Sequence, residues 1–253
     1  MMSKGTPLTI AIPVADASES ESLLRTLNAL SRVFSETPIE VLIQVGQSDM
    51  SAFAGSLLQH DIGAHWTFQS DDGVYDAMNQ MLDRAKGTRI LFMGAGDEAL
   101  PDLAKATQRW DPKPTQLELG GVLLPHAEPG VPRHYPARWD KSLLWRNTTH
   151  HQGMAYPLSL IQAMGGFPIN TRVLGDYALN LQLFQSGVTA NWESGENWVK
   201  VRAGGLSRQF NAALYKEEWA IKKSTLPPGW ARFWSPLWIL GKALWKRTAQ
   251  RKG

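Results

Sequence analysis

The stretch Asp71–Asp97 reads DDGVYDAMNQMLDRAKGTRILFMGAGD and decides the predicted fold class. Its first half carries apolar residues at helical spacing, namely Val74, Met78, Met81, Leu82 and Ala85. Aspartate is a residue type that caps helix starts, and glycine is one that ends helices. We therefore predict a helix that begins at Asp71 or Asp72, runs to about Lys86 and stops at Gly87.

A buried strand follows this predicted helix. The run Arg89–Met93 is apolar after its first residue and ends in Gly94-Ala95-Gly96-Asp97, which is the pattern of a strand that leads into a loop. Upstream, Leu8–Val14, Glu19–Phe34 and Ile39–Val45 have the patterns of a strand, a helix and a strand. Such a unit indicates a parallel sheet. The sequence therefore predicts an α/β protein with a mostly parallel sheet flanked by helices.

Shorter elements are predicted along the rest of the chain. Predicted helices cover Ser51–Leu58, Asp102–Trp110 after Pro101, Pro157–Met164 and Asp176–Gln185. Predicted strands cover His65–Phe68, Leu117–Leu124, Thr189–Trp192 and Trp198–Val201. The segment Glu128–Arg146 is rich in Pro, Arg and Trp, and we expect it to form loops around a binding pocket.

The composition limits the class of protein. The chain has 253 residues, 43% hydrophobic and 19% charged, which suits one α/β domain with a sizeable core. The absence of cysteine excludes disulfides, thiolate metal sites and cysteine nucleophiles. Thr9 and Pro13 interrupt the first apolar run, and the sequence has no run of about 18 apolar residues. We therefore predict neither a secretory signal nor a membrane-spanning helix.

The positive charge is concentrated in a C-terminal tail. Residues 222–253 hold eight basic and no acidic groups, whereas the rest holds 18 basic and 23 acidic groups, a net charge of −5. This distribution disfavours a nucleic-acid groove in the body of the protein. From Ser235-Pro236 onward the tail is amphipathic, with apolar positions at Leu237, Leu240, Gly241, Leu244 and Trp245 and further aromatic residues at Trp230, Phe233, Trp234 and Trp238. We predict an in-plane anchor on an anionic membrane surface; the alternative is a helix packed on the domain.

Two segments resemble a known family in wording and in spacing. Asp71–Asn79 followed by Arg89–Glu98 is similar to the family-2 inverting glycosyltransferases with a GT-A fold, and more narrowly to their bacterial exopolysaccharide and colanic acid branch. Further matching elements follow in the expected order at His151-Gln152-Gly153, Gly165-Gly166-Phe167, Gly175–Leu181 and Gly204-Gly205-Leu206-Ser207. The resemblance covers roughly residues 7–210.

This resemblance implies a domain organisation and a reaction. One glycosyltransferase domain at 1–221 would contain a donor-binding half at about 7–110 and an acceptor and catalytic half at about 111–221, followed by the tail at 222–253. The implied reaction moves a sugar from a nucleoside diphosphate sugar, with UDP as the expected nucleotide, to a saccharide or lipid-linked acceptor in bacterial cell-surface polysaccharide synthesis. The implied location is cytoplasmic and peripheral, on the inner face of the cell membrane.

Two other functions stay open at this point. A catalytically weak nucleotide-sugar-binding or scaffold protein is suggested by Ala95 and Gly175, which stand where the family has acids. A nucleotidyltransferase shares the sheet architecture, but it would need a glycine-rich, basic loop after the first strand. The residues Pro13-Val14-Ala15-Asp16 do not form such a loop.

The resemblance gives Asp97 the role of a metal ligand. The implied ion is Mg²⁺ or Mn²⁺ bridging the two donor phosphates, and hard cations favour such oxygen ligands. Because Ala95 replaces the family's usual first acid, metal independence is left open. An ordinary strand-end turn with a capping aspartate is the structural alternative.

Further site residues are implied by the same resemblance. The implied donor-binding residues are Asp16, Asp49, Asp71, Asp76 and Asn79, and helix capping is the alternative for Asp71. Asp176 is the implied catalytic base, with an N-cap carboxylate as the alternative. The implied acceptor and diphosphate pocket contains His151, Gln152, Arg202 and Ser207. A zinc site at His150-His151 is disfavoured, because the sequence has no second cluster at ligand spacing.

Overall fold

The computed structural model describes residues 7–47, 51, 53, 55–125, 132–202 and 211–250. The α-helices in this part of the chain are α1 (Ser20–Val33), α2 (Gly55–Leu58), α3 (Val74–Leu82), α4 (Pro101–Arg109), α5 (Leu158–Ala163), α6 (Gly175–Gln185), α7 (Ala212–Thr225) and α8 (Trp230–Gln250). Its strands are β1 (Leu8–Val14), β2 (Glu40–Val45), β3 (His65–Phe68), β4 (Arg89–Phe92), β5 (Glu98–Ala99), β6 (Leu117–Leu119), β7 (Gly121–Leu123), β8 (His134–Tyr135), β9 (Met154–Pro157), β10 (Ala190–Asn191) and β11 (Asn197–Lys200). Short 3₁₀ helices cover Ala17–Glu19, Lys141–Leu144 and His151–Gly153.

The central sheet is mostly parallel and has the strand order β10-β6-β9-β4-β1-β2-β3. Strand β1 pairs in parallel with β2 and β4, β2 pairs in parallel with β3, and β10 pairs in parallel with β6. Strand β9 runs antiparallel to both β4 and β6. A smaller sheet has the order β5-β11-β7-β8. This architecture confirms the fold class that the sequence predicts.

Both faces of the central sheet are covered, which explains the continuous apolar runs of its strands. Alternate residues of β1 point to opposite faces. On one face Ile10 and Ile12 pack in a core cluster with Leu27 of α1, while on the other face Ala11 joins Met78 of α3. Helices therefore protect the sheet on either side and leave its carboxyl edge available for a site.

Helix α3 is shorter than predicted. Its N-cap is Gly73, with φ 119°, rather than an aspartate, and the helix ends at Leu82 before the predicted Lys86. Gly87 does not end the helix. A Cβ atom at Gly87 would lie 2.5 Å from the Thr9 amide nitrogen, so glycine is required because the chain passes against β1.

The predicted single strand Leu117–Leu124 is wrong, because the chain divides at Gly120 between the two sheets. Strand β6 pairs with β9 and β10, whereas β7 pairs with β8 and β11. A Cβ atom at Gly120 would lie 2.1 Å from the Trp198 ring, so the indole occupies the space beside the division. Strand β9 was not predicted, and its last residue, Pro157, was assigned to the following helix.

The C-terminal region forms two helices, and the predicted boundary at residue 222 falls inside α7. Lys222 is fully buried, and its Nζ donates to the Trp145 carbonyl at 2.6 Å and to Glu218 at 3.0 Å. The two helices are separated at Pro227-Pro228-Gly229, and α8 begins at Trp230 rather than at Ser235. Among the described residues, no helix is both long enough and apolar enough to cross a membrane.

Candidate active site

A large cleft opens at the carboxyl ends of β1 and β4, with a volume of about 1380 Å³. Its walls at this edge are Pro13–Ala15 after β1, Asp71 and Gly73 before α3, and the turn 93–97 after β4. The opposite walls come from segment 146–152, the start of α6 and part of α8. Open α/β sheets bind ligands at the carboxyl ends of their strands, so this is the expected position of a nucleotide site.

Asp97 joins three segments of the cleft. One oxygen of this buried carboxylate accepts from the Gly94 backbone N–H at 2.6 Å and from the Gln152 side-chain amide. The other accepts from the Arg202 backbone N–H at 3.0 Å. Burial raises the pKa of Asp97 above its ordinary value, although these hydrogen bonds and the field of His151 oppose the change. Asp97 therefore holds the turn after β4 against the His151–Gly153 helix and the end of β11.

The described residues do not fit a metal centre built by the protein itself. A carboxylate offers about four lone-pair sites, and hydrogen bonds already occupy three of those on Asp97. Glu98 is not available, since its oxygens accept from Lys200 Nζ at 3.1 and 3.3 Å. Within the described ranges, no group of three or more His, Cys, Asp or Glu side chains is arranged to hold a metal ion.

Asp176 lies on the opposite side of the cleft, where α6 begins. One of its oxygens accepts from the Tyr177 backbone N–H at 2.8 Å. The other lies 3.2 Å from Nδ2 of Asn147 and 3.3 Å from Nδ1 of His151. An ionised carboxylate can only accept, so Nδ1 of His151 is the donor. The alternative of an N-cap is wrong, because the N-cap is Leu174 and Asp176 lies inside the first turn.

The environment of Asp176 keeps its carboxylate ionised. Burial acts to raise the pKa, but the hydrogen bond and positive field of His151, the field of His150 and the Tyr177 N–H outweigh it. The pKa of Asp176 is therefore lowered from its ordinary value. Asp176 is only 9% exposed, yet it forms part of the cleft wall. Asp176 is thus a buried carboxylate that can accept a proton, and it lies at the edge of a cleft large enough for a ligand.

His151 and Gln152 connect the two carboxylates of the cleft. Adjacent in sequence, they contact different acids, since His151 binds Asp176 and Gln152 binds Asp97. Both are cleft residues, and their place in an acceptor and diphosphate pocket stays a prediction. The pairing of each with its own carboxylate was not predicted.

Arg202 also forms part of the cleft wall and closes over the turn after β4. Its Nη1 donates to Ser22 Oγ at 2.8 Å and to the Ala95 carbonyl at 3.3 Å. A Cβ atom at Gly96, which has φ 98°, would lie 2.3 Å from Arg202 Cδ. Glycine is thus required at position 96 for two reasons: its φ is positive, and the Arg202 side chain occupies the space of a Cβ atom. Ser207, predicted in the same loop, lies outside the described residues.

Three of the predicted donor-binding residues lie outside the cleft wall. Asn79 is a structural link, because its side chain donates to the Phe167 carbonyl and accepts from the Phe167 N–H, both at 2.8 Å. Asp76 accepts from the Asp72 N–H at 3.0 Å and from Gln80 at 2.9 Å. Asp16 caps a 3₁₀ helix through the Ser18 N–H. The side chains of these three residues make hydrogen bonds within the fold.

Of the other two predicted donor residues, Asp71 does lie in the cleft wall. Its carboxylate accepts from the Gly73 N–H at 3.0 Å, so it also shapes the start of α3. Asp49 lies outside the described residues. Glu19 was not predicted as a site residue, but it lines the cleft and accepts from the Ala15 N–H at 2.9 Å. Asn147 was not predicted either, because it belongs to no motif in the sequence.

Tyr75 lies in the Asp71–Asn79 motif, and the sequence predicted no functional role for it. Its hydroxyl donates to the Val173 carbonyl at 2.7 Å and lies 3.5 Å from Asp176. Burial and the charge of Asp176 raise the pKa of Tyr75 well above its ordinary value. The ring also fills the space beside Gly175, where a Cβ atom would lie 2.8 Å from it. The neutral tyrosine thus packs directly against the start of α6.

Comparison with solved structures identifies the fold. No protein-family model matches the chain. The chain is similar to S. aureus TarS residues 1–349, with a TM-score of 0.64 and 14% identity over 94% of this chain and 70% of that chain. The fold is GT-A. This GT-A chain is also similar to the mannosyltransferase PcManGT from Pyrobaculum calidifontis in complex with GDP-Man and Mn²⁺, with a TM-score of 0.60 and 17% identity over 100% of this chain and 76% of that chain.

Curated relatives of the GT-A chain come from mycobacteria. They are PGL/p-HBAD biosynthesis glycosyltransferases of Mycobacterium bovis and Mycobacterium tuberculosis, 29% identical over 156 residues. The match covers 58% of this chain and 58% of the relative, so the chain spans little more than half the length of these relatives. The chain is therefore similar in sequence to glycosyltransferases and similar in fold to GT-A structures.

Proposed function

We propose that the chain is an inverting glycosyltransferase that uses a nucleoside diphosphate sugar. The observation that carries this proposal is the placement of Asp176, a buried carboxylate held ionised by His151, across the cleft from the turn after β4. The similarity to glycosyltransferases in sequence and in fold gives independent support. Solved neighbours of the same fold contain UDP-GlcNAc or GDP-Man, which supports a nucleotide sugar as donor.

The proposed reaction is a single displacement at the anomeric carbon of the donor. The donor diphosphate lies at the carboxyl edge of the sheet, beside Asp71, the Gly94–Asp97 turn and Arg202. The acceptor hydroxyl oxygen forms the new bond to the anomeric carbon, and its proton passes to Asp176. The bond between that carbon and the diphosphate oxygen breaks, and the nucleoside diphosphate leaves with both electrons. Attack opposite the leaving group inverts the configuration.

A divalent ion has a limited role in this proposal. Asp97 is the carboxylate of the turn that could contact such an ion, and one lone-pair site remains on it. Mg²⁺ usually keeps waters and is bound through one or two carboxylates together with substrate phosphates. We infer that Asp97 together with the donor diphosphate would hold Mg²⁺ or Mn²⁺, and that the ion would supply positive charge to stabilise the leaving diphosphate.

The acceptor is proposed to be a saccharide or a lipid-linked saccharide of bacterial cell-surface polysaccharide synthesis. The support is the resemblance in the Asp71–Glu98 motifs together with the apolar surface of α8. The proposed location is cytoplasmic, on the inner face of the membrane, through the tail 222–253. Seven of the eleven exposed large hydrophobic side chains in the described residues lie on α8, which favours such contact.

A scaffold without catalysis is the second candidate, and the structure weakens one reason for it. Position 175 has glycine where the family has an acidic residue, and this difference suggested a loss of catalytic activity. However, a Cβ atom there would lie 2.6 Å from Thr171 Oγ1 and 2.8 Å from the Tyr75 ring, so glycine is required by packing. Glycine at position 175 therefore has a packing reason in this chain that is independent of catalysis.

The test is a donor screen that measures both binding and turnover. UDP-, GDP- and dTDP-sugars are compared by thermal shift with and without Mn²⁺, and nucleoside diphosphate release is then followed with a set of simple acceptors. We expect one nucleotide to stabilise the protein and its sugar to be transferred with inversion. Calorimetric nucleotide binding with no transfer or hydrolysis would favour the scaffold instead, and no binding by any nucleotide would contradict both.

A further inference from the structure

One face of helix α8 forms part of the cleft. The residues that do so are Leu237, Trp238, Gly241, Lys242 and Trp245. Their spacing places them along one side of the helix. The three large apolar side chains of this set are 46–59% exposed, although the same cleft contains the buried Asp176. We call these five residues the cleft face of α8.

The helix is fixed in position by its other contacts. Ser235 is fully buried and Ile239 is 7% exposed, so a different side of α8 packs on the domain. Lys242 forms an ion pair with Glu218 of α7, which also binds the buried Lys222. These contacts hold α8 against α7, so that its cleft face is a wall of the cleft rather than a detached tail.

A short path of contacts leads from this wall to the proposed base. The Trp238 ring packs against the Trp145 ring, with centroids 5.9 Å apart. Trp145 is followed by Arg146 and Asn147, which are both cleft residues, and Asn147 contacts Asp176. A ligand that places a hydroxyl at Asp176 can therefore extend over Arg146 towards the aromatic wall.

The chemistry of the wall favours an apolar ligand group. Trp238, Trp245 and Leu237 offer exposed apolar area, and the apolar surface continues outside the cleft over Trp230 and Trp234 of the same helix. A purely polar oligosaccharide would leave this area in contact with water, whereas an alkyl or aryl chain would bury it. The proposed donor position lies at the sheet edge of the cleft, which assigns this opposite wall to the acceptor.

We propose that the cleft face of α8 binds the apolar part of an amphiphilic acceptor, whose sugar head reaches Asp176. This proposal rests on the proposed transferase function and adds an acceptor subsite to it. The ligand is identified by its chemistry alone, as a hydroxyl-bearing head joined to an apolar chain.

The test compares matched methyl and octyl glycosides of the same sugar, with the octyl compound below its micelle concentration and no vesicles present. For the full-length chain we expect the octyl glycoside to have a KM lower by about tenfold or more, because several methylenes are removed from water. In Trp238→Ala and in Trp245→Ala we expect this ratio of KM values to fall towards one. Phe233→Ala is the matched control, since Phe233 is 73% exposed on the same helix but is not a cleft residue.

Several outcomes would overturn the proposal. The first is that the two glycosides have equal KM values. The second is that the ratio of their KM values is unchanged in both tryptophan variants. The third is that this ratio falls as much in Phe233→Ala as in the tryptophan variants. An effect that appears only with vesicles would make the wall a membrane contact instead. Calorimetry with octyl glycoside and no donor separates this subsite from the transferase proposal. Octyl binding that is lost in Trp238→Ala supports the subsite even if no donor is turned over.

Discussion

Asp176 combines burial with hydrogen bonds that stabilise its charged form, and this combination defines its chemistry. Its pKa is lowered, so the carboxylate stays ionised throughout the neutral range. Because the pKa is lowered in the folded state, the ionised carboxylate stabilises the folded protein at pH values above the pKa of the unfolded state. This stabilisation is lost as the pH falls through the pKa of the folded state. The carboxylate of this proposed base is thus already ionised before the acceptor binds, and its acid limb lies below the ordinary value of an aspartate.

The change Asp176→Asn is expected to abolish transfer while leaving donor binding intact. The amide keeps the shape of the carboxylate but cannot take the proton of the acceptor hydroxyl. A positioned general base contributes about 10²- to 10⁴-fold, so kcat should fall by that factor. Steady-state kinetics and calorimetric nucleotide titration measure the two effects. Near wild-type turnover would remove Asp176 from the role of base.

The change His151→Gln is expected to move the acid limb of the rate profile to higher pH. His151 lowers the pKa of Asp176 by its hydrogen bond and its positive field, whereas burial acts in the opposite direction. Without the imidazole, burial is less opposed and the carboxylate protonates at higher pH. The pH dependence of kcat measures the shift. His65→Gln, at an exposed position of β3, is the control, and an unmoved limb would contradict the role of His151.

At the scale of elements, α8 presents two exposed surfaces with different proposed partners. Its cleft face belongs to the acceptor subsite, while Phe233 and Leu240 are exposed and are not cleft residues. The sequence predicted one apolar face at Leu237, Leu240, Gly241, Leu244 and Trp245. In the structure Leu237, Gly241 and Trp245 line the cleft and Leu240 faces solvent, whereas the packed side of α8 carries Ser235 and Ile239.

The paired change Phe233→Ser and Leu240→Ser is expected to weaken binding to anionic vesicles several-fold. These side chains provide apolar area outside the cleft, which an in-plane helix buries at the membrane surface. Co-sedimentation with anionic and neutral vesicles measures the loss, and added salt should reduce binding further because the tail is basic. Trp192→Ser removes an exposed tryptophan outside α8 as a control. Equal recovery of variant and parent would argue against membrane contact by this surface.

At the scale of the whole molecule, the cleft is formed by parts distant in the sequence. Gln152 reaches Asp97 across 55 positions, and Asp97 also accepts from Arg202 across 105 positions. The protein thus uses the Asp97 carboxylate to hold the two halves of the cleft together. That structural use leaves little capacity for a metal ion in the absence of donor.

Manganese binding is therefore expected to depend on the nucleotide. Mn²⁺ alone should show no saturable binding to the protein, because hydrogen bonds largely occupy Asp97 and the described residues contain no group of three or more His, Cys, Asp or Glu side chains that could hold a metal ion. Addition of the nucleoside diphosphate found in the donor screen should produce a Mn²⁺ site, since the phosphates provide the missing oxygen ligands. Electron paramagnetic resonance of free Mn²⁺ measures both states. Saturable binding by the protein alone would contradict the proposed arrangement.

Much of the fold followed from local patterns in the sequence. The bounds of β1 and β3 were predicted to the residue, and those of α1 and α6 to within a residue at either end. These elements have uninterrupted apolar runs or clear helical spacing, and such periodicity is a property of neighbouring residues. The carboxylates Asp97 and Asp176 were likewise selected from the sequence as candidate site residues, through motifs that keep the family's order although Ala95 and Gly175 depart from its wording. Their roles stay predictions.

Other features were decided only by tertiary structure. The apolar pattern of Leu117–Leu124 would be the same whether the segment formed one strand or two strands in different sheets. In the structure the segment divides at Gly120, where the Trp198 ring lies against the backbone. Asn79 belongs to the same motif as Asp71, but only the path of the chain at Phe167 shows that it is a structural link. In the same way the sequence determined that α8 is amphipathic. Which of its sides is buried, lines the cleft or meets solvent depends on packing against α7, because burial depends on contacts between distant parts of the chain.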